Sequence, residues 1–161
     1  MTDTAVPAHA TLGDETFMSA DDLRAYMQQL EQAKLSKELV AMSLADKARD
    51  ELVKKLSEPM VLSHEKLHEI AESLQAKMRL AAQRGEKELL VMRFPNLLCT
   101  DKGRAINNTV EDWPDTLTGR PRQAYELWRS HLQPMHYKLR AMIIDWPNGM
   151  PGDVGLFLSW A

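Results

Sequence analysis

His64-Glu65-Lys66-Leu67-His68 is the pentapeptide of this chain with the most defined chemistry. On a helix, histidines four residues apart lie one turn apart and can share a zinc ion, while the intervening Glu65 can act as general base on a metal-bound water. A third protein ligand is needed, and Glu72 stands roughly 12 Å along the helix axis from His64. It has to come from elsewhere: His131, His136 or a carboxylate of the last third. Lys66 and Glu69 place charge where the helix of a zinc protease is normally buried, and both histidines lie beside the Leu67/Ile70/Leu74 stripe rather than within it. The plainer expectation is a solvated helix face with no cofactor; zinc is the alternative.

Thr118-Gly119-Arg120-Pro121-Arg122 stands where a helix is expected to begin. Two arginines beside free helix N–H groups can hold a phosphate or carboxylate, which defines an anion-binding candidate at Arg120 and Arg122. The competing expectation is structural. Arg122 pairs with Glu126 one turn on, Arg120 finds Asp115, and Pro121 occupies the first turn, where proline is favoured. Asp101-Lys102-Gly103-Arg104 lacks the spacing of a phosphate-binding loop and reads as a turn before a short helix. Cys99, between Leu98 and Thr100, reads as a small core residue with no partner histidine.

The elements that position these residues follow from composition. Residues 19–84 contain no glycine and one proline, Pro59, while all four tryptophans lie in the last third. The chain therefore reads as three segments: an irregular, disordered lead over residues 1–18, a helical hairpin over 19–85, and a small α+β unit over 86–161 packed with the hairpin as one domain. Ser19 caps the first helix, with Asp21 and Asp22 in its first turn and Leu23, Met27 and Leu30 on one face. Periodicity continues to about Ser57, and Pro59 ends it. Ser63 caps a second helix with Leu67, Ile70, Leu74, Met78 and Ala81 on its stripe, and Gly85 supplies the left-handed end. Leu89–Phe94 reads as a buried strand. Gly119–Gln133 reads as a helix stopped at Pro134, and 137–145 and 154–160 as two strands joined by a Pro/Gly-rich turn. The fold class is α+β, with a small mixed or antiparallel sheet in the order β-α-β-β.

Both faces of that sheet are apolar, so both need a cover. The helix around Trp128 can supply one. Met142, Ile144 and Phe157, with Trp146 and Met150 at the adjoining turn, form a candidate partner surface, since large adaptable side chains dominate binding hot spots. A net charge of −3 and interleaved acidic and basic residues over 19–84 argue against generic nucleic-acid binding. No stretch is apolar enough for a membrane span, and a single cysteine suits a reducing compartment. The sequence thus points to a non-enzymatic cytoplasmic interaction or regulatory protein that binds itself or a protein partner. A zinc-dependent hydrolase built on His64, Glu65 and His68, and an anion- or nucleotide-responsive module built on Arg120 and Arg122, are the alternatives.

Overall fold

The computed structural model describes residues 9–12 and 15–161. It divides into two units, Met1–Ala48 and Arg49–Ala161. The architecture is α+β, as the composition split implies, and no helix among the described residues is long and apolar enough to cross a membrane.

The first unit opens with two strands, β1 (His9–Leu12) and β2 (Glu15–Met18), paired antiparallel with His9 opposite Met18 and Leu12 opposite Glu15. This corrects the expected unstructured lead for those residues. Residues 1–8 and 13–14 lie outside the described residues. Helix α1 (Ala20–Ser57) follows. Ser19 Oγ accepts from Asp22 N at 3.1 Å. Asp21 and Asp22 complement the positive end of the helix dipole, and Lys54 and Lys55 the negative end. At 1.5 Å per residue its 38 residues run about 57 Å.

The second unit takes in the last turns of α1. Helix α2 (His64–Gln83) starts at the expected cap: Lys66 N donates to Ser63 Oγ at 3.1 Å. It ends at Gly85, whose φ of 78° and whose following bond from Glu86 N to Ala81 O at 3.0 Å close a left-handed terminus. The sheet consists of β3 (Glu88–Phe94), β4 (Lys138–Ile143) and β5 (Val154–Ser159), all antiparallel, with β5 in the middle. Between β3 and β4 lie the short α3 (Arg104–Asn107) and α4 (Gly119–Leu127). Beyond α4 the chain widens into a π-type turn over Trp128–Leu132 and tightens over Gln133–Met135, where Pro134 ends the helical path. Within this unit α2 leans on β3, and α1 contributes Val53 and Leu56 to the core.

Register explains which face is closed. Phe94, Val154 and Ile143 form one row across the sheet, Met92, Leu156 and Ala141 the next, and Leu89, Leu158 and Leu139 the third. Phe94, Val154, Leu156 and Leu158 are fully buried, with Leu98, Cys99, Ile106 and Leu117 completing the core at the Phe94 end. An irregularity between Leu90 and Met92 leaves Val91 as an extra residue in β3. The opposite face carries Leu90, Phe157, Arg140 and Met142. Gly155 sits at its centre, where a Cβ would come within 2.9–3.0 Å of Ile144, Leu90 and Phe157.

Asn96, at the end of β3, ties this unit together. Its Oδ1 accepts from Arg49 Nη2 at 3.1 Å, and its Nδ2 donates to Lys102 O at 3.0 Å and Pro151 O at 3.1 Å. Three segments distant in sequence are held by one buried amide. Asn96→Ala leaves those partners unsatisfied and lowers unfolding free energy by about 2–3 kcal/mol. Urea denaturation reads the effect, and a change below about 0.5 kcal/mol would show that water replaces the amide freely.

Candidate functional site

Helix α1 is the first candidate surface, because none of its 38 residues is buried. Leu30 is 52% exposed, Val40 59% and Leu44 62%. Leu23, Tyr26, Leu30, Ala33, Lys37, Val40 and Leu44 succeed one another at alternating steps of three and four. That spacing is the heptad of a coiled-coil seam, three repeats long, with a single cation inside it. The sequence signal was present in the spacing itself, which a search for 3.6-residue faces blurs.

The second surface is the open face of the sheet and the β4–β5 connection. The expected residues gather there. Met142 is partly exposed, Ile144 and Phe157 are half-buried, and Trp146 and Met150 stand 50% and 66% exposed in the connection. Arg140 stacks 5.2 Å from the Phe157 ring centroid and pairs with Glu88 at 2.9 Å. The connection is firmly held: Ile144 N donates to Asp153 O at 2.9 Å, Gly152 N to Asp145 O at 3.0 Å, and Asp153 N to the Asp145 carboxylate. Arg93 spans both acids, donating from Nε to Asp153 at 2.8 Å and from Nη2 to Asp145 at 3.4 Å. Asn148 and Gly149 take positive φ at the tip, as their types permit. Sequence reading missed this clasp, since Arg93 lies 52 and 60 residues from its acids.

The third feature is a groove of about 600 Å³ between α2, the Leu158 end of the sheet and α4. Ile70 and Leu74 form one wall, Leu127 and Trp128 the other, and Leu89 and Leu158 lie along the sheet side. Trp128 is fixed by donation from Nε1 to Tyr137 O at 3.1 Å. The extra residue Val91 also faces this space. No short motif announces the groove, because its lining comes from separate elements.

The residues singled out for chemistry are placed as follows. His64, Glu65 and His68 are all exposed on the first turns of α2, and His68 Nε2 lies 3.0 Å from Glu72. His131 and His136 are exposed beyond α4. Among the described residues, no three His, Cys, Asp or Glu side chains come together in a group that could hold a metal ion. Arg122 reaches Glu126 at 2.8 Å, donates to Pro114 O at 2.7 Å, stacks 5.2 Å from the Tyr125 centroid, and is 3.9 Å from Asp115. The expected Arg120–Asp115 pair is thus replaced by Arg122–Asp115. Arg120 turns the other way, its Nε donating to Glu58 O at 3.2 Å. The two arginines are engaged in different directions and do not form a joint clamp.

Cys99 is 3% exposed, and burial pushes its thiol up to about 11, opposed in part by a hydrogen bond with Thr116. A thiol pKa raised from 9.0 to about 11 cuts the thiolate fraction near neutrality by about 100-fold. Iodoacetamide at pH 8 is therefore expected to modify Cys99 at least about 50-fold more slowly in the folded chain than in urea. Comparable rates would place the thiol in solvent. The sign for stability follows: the contribution of the neutral buried thiol is complete below the unfolded value and is lost as pH rises through about 11.

No protein-family model matches this chain, and neither a curated protein nor a solved structure is significantly similar to it.

Proposed function

We propose that the chain is a non-enzymatic interaction protein of the cytoplasm that associates through α1, first with a second copy of itself, and offers the open sheet face to a protein partner. The observation that carries this reading is a seven-position seam at coiled-coil spacing on a stretch of α1, residues 23–48, that is exposed throughout. Apolar side chains at such spacing gain their stabilisation by packing into holes on another helix, each buried leucine contributing about 1.5–3 kcal/mol. Lys37, the fifth of the seven seam positions, favours an antiparallel pair, in which an off-centre cation does not meet its own copy in one layer. The open sheet face supports the second role, with Trp146 and Met150 as anchors.

Sedimentation equilibrium on the full chain tests the association. The expected mass is twice the 18.3 kDa of one chain. A chain that stays at one mass up to several hundred micromolar overturns the reading.

A further inference from the structure

The groove beside α2 has features that select a type of molecule. Its volume of about 600 Å³ falls within the range of small-ligand sites, roughly 300–1,000 Å³. Its interior is apolar, mostly leucine with Ile70, Val91, Met92 and Trp128, and its polar groups come from one side of α2 and the first turns of α4. Those polar groups are not equally available. Gln123 is committed at both ends, its Nε2 donating to Met60 O at 2.8 Å and its Oε1 accepting from Met60 N at 2.8 Å. Glu69 leans on Lys66 across 3.7 Å, a loose pair with the carboxylate side chain 71% exposed, which contributes little. Arg120 spends only its Nε, on Glu58 O. The border thus sets three cations, Lys66, Lys77 and Arg120, against one carboxylate. A planar guanidinium beside an apolar channel suits a carboxylate carried on a hydrocarbon chain.

We propose that this groove binds a free single-chain amphiphile with an anionic head, a medium- to long-chain carboxylate being the simplest. Its methylenes run along Ile70, Leu74, Leu127 and Leu158, and its head meets Arg120 and Lys66. The groove shares no residue with the α1 seam.

Isothermal titration of the full chain with octanoate, decanoate and dodecanoate below their micelle concentrations, and with dodecanol below its solubility limit, tests the proposal. Each added methylene is worth about fourfold in affinity, so successive acids are expected to tighten by about 15-fold. Dodecanoate is expected to bind more than about 10-fold tighter than dodecanol, as a charge-assisted bond to the head allows. Lys66→Gln with Arg120→Gln removes that preference and leaves dodecanol binding in place. Leu74→Trp fills the channel and weakens both ligands, with circular dichroism confirming the fold. Leu30→Glu with Leu44→Glu in α1 leaves dodecanoate binding unchanged. The proposal is overturned by the absence of saturable heat with dodecanoate, by affinities that ignore chain length, or by an acid preference that survives the double glutamine change. It is equally overturned if raising the protein concentration abolishes binding, since a second copy then fills the groove.

Discussion

Alanine at position 119 lowers the unfolding free energy by at least about 3 kcal/mol, more than an exposed helix-terminal substitution normally costs. Gly119 begins α4 with φ of 58°, a conformation that costs an L-residue about 1–2 kcal/mol. The larger penalty is steric. A Cβ there would overlap the Leu56 carbonyl and come within 2.8 Å of the Ser57 Cα, both in the backbone of the last turn of α1. No rotamer change relieves a clash with main chain. The end of α1 must move away from α4, and with it Leu56, which packs on the core. Gly85→Ala isolates the dihedral effect, since φ is 78° there and nothing lies within 4 Å of the added carbon. It is expected to cost about 1 kcal/mol. Urea unfolding of the two variants side by side reads the difference, and equal losses would mean that α1 and α4 do not approach as closely as described.

The second large effect belongs to α1. Leu30→Glu combined with Leu44→Glu is expected to weaken the proposed self-association by at least about 1,000-fold, because each change removes from both copies a leucine that the pairing would bury and places a carboxylate in the seam. Sedimentation then reads a single chain of 18.3 kDa at micromolar concentration. The helix persists, since glutamate is a good helix former and both positions are exposed in the single chain. Lys37→Leu acts in the opposite direction and tightens association by roughly 10-fold or more, as expected for removing a lone cation from a seam. Unchanged association in both variants would move the contact off this face.

The helices were legible in the sequence because their signals are local. Ser63, Gly85, Pro59 and the absence of glycine between them mark ends that side chains or dihedrals enforce within a few residues. The β4–β5 hairpin and the alternation of Met142 and Phe157 against Ile143 and Leu156 were legible for the same reason. What escaped is long-range. Asn96 reads as an ordinary polar residue after Pro95, and its three partners come from residues 49, 102 and 151. Gly119 reads only as part of a helix start beside the anion candidate Arg120 and Arg122, whereas its missing side chain makes room for another helix. Strands β1 and β2 escaped because runs of only four residues carry too little periodicity to separate them from loop.

Asp145, Asp153, Arg93 and Asn96 fasten the chain on both sides of Trp146 and Met150, so the loss of conformational freedom at this tip is incurred when the protein folds. A partner that meets the exposed indole has no loop to order and no carboxylate to reposition. Contact there is expected to be fast, because the bound shape is already the resting shape. Amide exchange should show the same thing from the protein alone, with the Ile144, Gly152 and Asp153 N–H groups protected beside an aromatic ring left in water.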